Sequence, residues 1–355
     1  MSSLVLTLTE TLRYRGAIGQ WSWVLHRLSG LGVVLFLVLH VIDTSWAVFY
    51  PAKYEIAIAT YQTPLFTLGD FFLVAAVIYH AYNGLRIAIL DSKPEWWKHQ
   101  QRAAVWVLGL TALTLIPTFF LMFNHVINHY NHDPNILPLT EVIVEQLPFA
   151  AGMVVAAIVA IVLSGVVGLI SGDGSKASGK ASGSKVERFW WSYMRISGFL
   201  IVPLVFGHLA MMHVLQGVFD LTAIESTVVG TGELINNTGT AVEFVGERWN
   251  HLVGGVAIWK LYDIALLALV TVHGFNGLRY VLTDYTMSSP LLRRASTYLC
   301  IIGAVVLLTV GAGALLGSVE VTSIEMAAES QCEIYELEAC TPQDALETLP
   351  NPLGQ

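Results

Sequence analysis

Charged side chains are scarce in this sequence. Only 12% of its 355 residues are Asp, Glu, Lys or Arg, whereas 55% are hydrophobic and the mean hydropathy is +0.63. A soluble domain carries roughly twice that share of charge, so the composition indicates a membrane protein. The net charge of −8 also argues against a nucleic-acid partner.

Cysteine is rare as well. The three cysteines, Cys300, Cys332 and Cys340, cannot form a disulfide scaffold, and as a set they cannot ligate an iron–sulfur cluster. The first twenty residues lack a basic stretch ahead of a short apolar core, so we expect no signal peptide. Since no flavin motif is present either, we expect this chain to carry out no flavin or iron–sulfur chemistry of its own.

Long apolar runs, by contrast, are abundant. A helix needs about 20 mostly apolar residues to cross a bilayer. Seven runs are long enough: 23–49, 69–91, 104–125, 149–171, 192–217, 256–282 and 297–318. The alternating pattern of a transmembrane barrel is absent from the sequence. We therefore predict an all-α, polytopic transmembrane helix bundle with about seven spans.

Basic residues are missing from 126–148 and 319–355. If the N-terminus is cytoplasmic, 15 of the 18 basic residues fall on the inner side, and only Lys53, Arg248 and Lys260 fall on or near the outer side. Lys and Arg favour the cytoplasmic side of a membrane. We therefore predict a cytoplasmic N-terminus and a C-terminus outside.

The chain contains an internal repeat. "HRLSG" at 26–30 matches "MRISG" at 194–198, and "HAYNGLRIAILD" at 80–91 matches "HGFNGLRYVLTD" at 273–284. A Gly/Ser/Lys-rich stretch, typical of a flexible linker, separates the two copies. We predict four regions: a first half at 1–126, a connecting region at 127–187, a second half at 188–318 and an acidic outer tail at 319–355.

The repeat places four histidines at two depths. His40 and His208 follow the arginines that begin their helices by 13 residues, which is about 20 Å at 1.5 Å per residue; we name them the outer pair. His80 and His273 lie about 16 Å from the aspartates that end their helices; we name them the inner pair. Two facing histidines in a dry bundle suit a low-spin b haem. The pattern predicts two stacked b haems, although structural hydrogen-bonding histidines are an alternative.

Several neighbours of these histidines suit a haem pocket. Gly84 and Gly277 lie four residues after the inner pair and leave room for a porphyrin, while arginines suit its propionates. The candidate lining and propionate residues are Arg27, Arg195, Ser29, Ser197, Arg86, Arg279, His26, Gly84 and Gly277. A surface role for His26 is an equal alternative. His213 follows His208 by five residues, so we expect it to turn away and to pack elsewhere.

These motifs resemble the cytochrome b membrane anchor of succinate:quinone oxidoreductase and fumarate reductase. "YHAYNGLRIAI", "RISGFLIVPLVFGH" and "VHGFNGL…RRASTY" are similar to motifs of single-chain, two-haem anchors. "LHRLSG" and "VLTDY" resemble the large and small anchor chains of one-haem enzymes. The resemblance covers about 20–125 and 188–318. It implies a fusion of two three-helix chains, with the extra span 149–171 preserving the topology.

The resemblance also implies a function. The chain would be the quinone-reactive membrane subunit of succinate dehydrogenase, in the plasma membrane of a prokaryote. A flavoprotein with FAD and an iron–sulfur protein would dock on its cytoplasmic face. Electrons would pass through the inner-pair haem and the outer-pair haem to a quinone, menaquinone rather than ubiquinone. The resemblance makes Trp23, Asp284 and Tyr285 the quinone candidates.

Several alternatives stay open. The chain could be a fumarate reductase anchor, another quinone-linked di-haem cytochrome b or, more distantly, a transporter, although Pro117 and Pro203 do not interrupt matching positions of the two halves. A second quinone site could lie near Asp43, Glu55 or Asp70. Asp284 could simply form a helix-end pair with Arg279. Besides lipids, a higher oligomer is an open possibility among the partners.

Two polar segments lie on the predicted outer side. "HVINHYNH" at 125–132 has two histidines at i, i+4 but no further ligand at fixed spacing, so we assign no metal site there. The tail at 319–355 holds eight acids and no basic residue. We predict a disulfide between Cys332 and Cys340, because an oxidising compartment preserves it. The tail is too polar and too short for its own core, so we expect it to cover the outer face of the bundle or of a neighbouring copy.

Overall fold

The computed structural model describes residues 17–132, 138–171 and 185–334. The helices are α1 (Ile18–Phe49), α2 (Pro51–Tyr61), α3 (Pro64–Ser92), α4 (Gln100–His132), α5 (Leu139–Ser171), α6 (Lys185–Leu209), α7 (Ala241–Asn250), α8 (Ile258–Thr286), α9 (Pro290–Leu316) and α10 (Val321–Ile334). The shorter elements are 3-10 turns at Pro94–His99 and Val218–Thr222, a π-helical turn at Ala210–Leu215 that continues α6, and an antiparallel hairpin of β1 (Ser226–Thr227) and β2 (Leu234–Ile235).

Seven of these helices are long and apolar enough to cross a membrane: α1, α3, α4, α5, α6, α8 and α9. The predicted all-α, multi-pass bundle is confirmed. Several helices are longer than the apolar runs that predicted them. An apolar run ends at the first charged residues, whereas a helix readily includes such residues. Thus α9 begins at Pro290, with proline at its favoured first position, and contains Arg293 and Arg294 before its apolar run.

Four helices form the centre of the bundle. In the first half α1 packs against α3, in the second half α6 packs against α8, and the halves meet through contacts of α1 with α8 and of α3 with α6. The third helix of each half lies outside this group, α4 against α3 and α9 against both α8 and α1. The extra helix α5 packs against α9, where the Ser164 hydroxyl donates to the Leu291 carbonyl over 2.6 Å.

A cap covers one end of the bundle. It consists of 51–61, 218–250 and 321–334, which include α2, α7 and α10, and its core includes the buried side chains of Tyr54 and Phe244. The described part of the tail forms α10, which packs on α2, and its predicted position on the outer side of the membrane stays a prediction. Cys332 is disulfide-bonded and Cys300 is free and buried. The predicted partner, Cys340, lies outside the described residues.

Glu55 connects the three helices of the cap. Its side chain is 1% exposed, and its two carboxylate oxygens accept hydrogen bonds from the Val242 backbone N–H over 2.9 Å and from the Gln331 side chain over 3.0 Å. Burial disfavours the ionised form more than these donors favour it, and so it raises the pKa of Glu55 from 4.5 to about 7. The native cap therefore holds a proton that the unfolded chain releases at lower pH.

We expect the cap to weaken as the pH rises from about 4.5 to about 7, because folding takes up a proton in this interval. The loss is about 3 kcal/mol at most. Hydrogen exchange of the α2 and α10 amides, corrected for intrinsic rates, measures it. Glu55→Gln keeps the shape without the titration and should abolish this pH dependence. The same pH dependence in wild type and variant would contradict the assignment.

Candidate functional site

A cavity of about 750 Å³ runs along the centre of the bundle. It extends from Arg27, Asp91 and Arg195 at one end, which we name the arginine end, to Arg248 and Trp249 at the other, the cap end. The four histidines of the inner and outer pairs line it. Its volume lies in the range of cofactor and ligand sites.

The first histidine of the inner pair has a defined tautomer. His80 Nδ1 lies 3.1 Å from the backbone carbonyl oxygen of His26 and 3.3 Å from Ser29 Oγ. Since a carbonyl oxygen only accepts, Nδ1 carries the hydrogen. Nε2 therefore keeps a free lone pair, which is the state a metal ligand needs.

The second half repeats this arrangement. Ser197 Oγ lies 2.8 Å from His273 Nδ1, and the Ser197 hydroxyl donates to the Tyr193 carbonyl over 2.7 Å. The hydroxyl must then accept from Nδ1–H, so His273 also keeps Nε2 free. The sequence predicts both serines as haem-edge or propionate residues, and that role stays a prediction. The structure places both beside the inner-pair histidines of the returning helices.

Glycines allow these close contacts. A Cβ on Gly30 would lie 2.8 Å from His80 Cε1, too close for any side chain, while one on the matching Gly198 would lie 3.6 Å from His273 Cε1. Gly84 and Gly277 line the cavity, as the sequence predicts. The role of Gly30 was missed, although the Ser–Gly dipeptide shared by both repeat copies is a signal that pointed to it.

His26 adds a feature that the second half lacks. Its ring stacks on the ring of His80, with centroids 4.0 Å apart and planes 8° apart, and it lines the cavity. Met194 occupies the matching place in the second half. The structure thus places His26 beside the inner pair rather than at the surface.

The outer pair lies in a cluster of three histidines. The ring centroids of His40 and His208 are 5.9 Å apart, close to the roughly 6 Å expected for two imidazoles on one metal at bonds of about 2 Å. His213 lies 6.2 Å from His40 and 5.6 Å from His208. Five α-helical residues would turn it about 140° away, but the wider π-helical turn brings it back. The prediction that His213 turns off the face of the outer pair is therefore wrong.

Carboxylates surround this cluster. Asp70 Oδ2 lies 3.3 Å from His213 Nδ1, and Asp43 lines the cavity while its carboxylate accepts from the Tyr61 hydroxyl. Glu55, the third acid suggested for an outer quinone site, lies in the cap core. The sequence suggests that Asp70 lies near the outer side, but it does not predict the contact of Asp70 with His213.

Two of the predicted propionate arginines have other partners among the described helices. Arg86 is buried and donates to the Gln100 carbonyl over 3.4 Å. Arg279 forms an ion pair with Glu187 over 3.0 Å. The alternative in which Asp284 pairs with Arg279 is therefore wrong.

The arginine end holds two ion pairs that cross between the halves. Arg27 of the first half pairs with Asp284 of the second, and Arg195 of the second half pairs with Asp91 of the first. All four residues belong to the repeated motifs. Each copy of the repeat therefore supplies an arginine to the other copy's aspartate.

A tryptophan accompanies each arginine. The guanidinium carbon of Arg27 lies 4.1 Å from the ring centroid of Trp23, and Trp191 has the matching position on Arg195, at 3.1 Å. The quinone candidates Trp23 and Asp284 thus meet at Arg27. Tyr285 is next to Asp284 in sequence, and its side chain is 67% exposed.

Comparisons with known proteins agree with the two-part organisation. Residues 8–121 and 175–312 match the family described as succinate dehydrogenase/fumarate reductase transmembrane subunit. The chain is similar to the succinate dehydrogenase 2 membrane subunit SdhC of Mycobacterium tuberculosis, with 39% identity over 118 residues, 33% of this chain and 86% of that protein. No solved structure matches the chain.

We expect the crossed ion pairs to hold the two halves together. Asp91→Arg places two cations side by side and should lower the Tm by about 1–2 °C, the effect of roughly 1 kcal/mol in a chain of this size. Adding Arg195→Asp reverses the pair and should restore most of the loss. Thermal unfolding of the purified protein in detergent measures both. A double variant no more stable than the single one would exclude a direct pair.

Proposed function

Since the chain belongs to the succinate dehydrogenase/fumarate reductase transmembrane subunit family, we propose that it is the two-haem membrane anchor of a succinate:quinone oxidoreductase. One observation supports this most. In both halves the Nδ1 hydrogen of an inner-pair histidine has an acceptor, the His26 carbonyl or the Ser29 hydroxyl for His80 and the Ser197 hydroxyl for His273, so that Nε2 is available beside a continuous cavity.

The residues fit two haems. His80 and His273 would hold one, and His40 and His208 the other. A haem with two histidine ligands would take up and release one electron at a time. His26 and the two arginines that line the cavity at the arginine end, Arg27 and Arg195, would bind propionates there, and His26 Nδ1 is buried without a hydrogen-bond partner among the described residues.

We place the arginine end in the cytoplasm. Exposed basic residues concentrate there, including Lys93, Lys98, Arg102 and Arg293, and such residues favour the cytoplasmic side. This surface would receive the iron–sulfur and flavoprotein subunits. The name of the similar mycobacterial protein, a membrane subunit of a succinate dehydrogenase, supports such partners.

The cluster of Trp23, Arg27 and Asp284 is the proposed quinone site. Trp23 is 43% exposed and offers a flat apolar surface for a quinone ring. Arg27 offers a hydrogen-bond donor to a quinone oxygen, and Asp284, half exposed, can deliver protons from the cytoplasm. The two-haem pattern supports menaquinone as the substrate.

We expect His80→Ala and His208→Ala each to lose one haem, because each removes one axial ligand. Gly30→Val should also lose the inner haem, since its side chain would displace the His80 ring. Haem per protein and the redox difference spectrum measure this. His213→Ala is the matched control and should retain two low-spin haems. If His80→Ala or His208→Ala retains both haems, the ligand assignment is wrong.

We expect Asp284→Asn to lower quinone reduction by tenfold or more, because proton transfer by a positioned side chain typically contributes about 10²–10⁴ in rate. Asp91→Asn, at the matching ion pair, is the comparison and should cost markedly less. Steady-state turnover with succinate and a soluble quinone, in the intact complex, measures both. Equal losses in the two variants would assign Asp284 to stability rather than to quinone chemistry.

A further inference from the structure

We propose that Asp263 is a positioning residue that sets the reduction potential of the outer haem through His208, and that the cap holds Asp263 in place for this role. This inference rests on the proposed function, because it concerns a ligand of the haem proposed there.

The two side chains face each other inside the bundle. His208 Nδ1 lies 3.8 Å from Asp263 Oδ1. Both atoms are buried and have no hydrogen-bond partner among the described residues. Buried polar atoms are nearly always paired. We therefore assign Asp263 Oδ1, the unpartnered carboxylate oxygen that His208 Nδ1 faces, as the acceptor for its hydrogen.

The cap fixes the other carboxylate oxygen. Asp263 Oδ2 accepts from Arg248 Nη1 over 2.7 Å and from Trp249 Nε1 over 3.1 Å. With two donors on Oδ2, the carboxylate cannot rotate freely, and Oδ1 stays directed at His208. Arg248 and Trp249 both belong to α7. A helix of the cap therefore holds the carboxylate that faces His208 of the outer pair.

The repeat shows what is special about Asp263. The repeat motif that begins at His80 in the first half begins 193 residues later, at His273, in the second half, and at the same offset the counterpart of Asp263 is Asp70. Asp70 faces His213, at 3.3 Å, rather than a residue of the outer pair. The longer loop of the second half, which contains α7, supplies the two donors to Asp263. The two hydrogen bonds from Arg248 and Trp249 to Asp263 thus come from the part of the chain in which the two halves differ.

The chemistry distinguishes the two haem sites. The inner-pair histidines direct Nδ1–H to neutral acceptors, which are the His26 carbonyl and the Ser29 hydroxyl for His80 and the Ser197 hydroxyl for His273. His208 directs it to a carboxylate, which makes an imidazole a more basic ligand. A more basic ligand stabilises the oxidised metal over the reduced one. Asp263 therefore lowers the potential of the outer haem, and Arg248 limits this effect by neutralising part of the charge.

Redox titration of the intact complex, followed by optical and EPR spectroscopy, tests the inference. Asp263→Asn should raise the potential of one haem, leave the other unchanged and alter the low-spin EPR signal of the shifted haem. Arg248→Gln should shift the same potential downward. Opposite signs are expected if the pair acts through its charge, because loosening of the cap would move both variants in the same direction. A change in the EPR signal then assigns the effect to the His208 ligand rather than to the charge field alone.

Two controls define the source of the shift. Asp70→Asn removes the matching carboxylate from the same cavity, and Lys260→Gln removes an exposed charge three residues before Asp263. Shifts of equal size in Asp70→Asn and Asp263→Asn, without an EPR change, would overturn the role of His208.

If Asp263→Asn does not assemble, Trp249→Phe removes one donor and should still shift the outer potential alone; an unchanged potential would overturn the inference. A wild type with fewer than two haems would instead refute the proposed function.

Discussion

A histidine buried in a helix bundle can offer one ring nitrogen to a metal only when the other carries the hydrogen and has an acceptor for it. This requirement explains the repeated Ser–Gly dipeptide of the chain. Ser197 supplies the acceptor for His273, while Ser29 and the His26 carbonyl both lie within reach of His80 Nδ1, and Gly30 lets the His80 imidazole approach closely enough to use them. The rising and returning helices of each half are thereby fixed against one another at the depth of the inner pair.

The second constraint is that each proposed haem site takes one histidine from each half. The proposal therefore requires the two halves to be in register along the membrane. The two crossed Arg–Asp pairs fulfil this need at one end, since each copy of the repeat contributes one arginine and one aspartate. At the other end the cap joins α2 of the first half to α7 of the second and to α10. Both ends of the cavity are thus closed by contacts between the halves.

The sequence was sufficient to predict the seven spans, the repeat and the four histidines that line the cavity, because hydropathy and spacing report helix length and depth directly. It did not reveal the orientation of Ser29, since side chains on one helix face can reach either of two neighbouring helices. His213 was placed wrongly because a π-helical turn changes the angular spacing without leaving a mark in the sequence. The partners of Asp91 and Asp284 are 104 and 257 residues away in sequence, so no local pattern reports them.

The central claim is that one chain binds two b haems, each between histidines of both halves. A redox titration of the purified complex, with haem and protein quantified in the same sample, tests it most directly. The account predicts two haems per chain, both low-spin, that titrate as two separate one-electron steps. A single haem per chain, or a second haem with a high-spin spectrum, would contradict it.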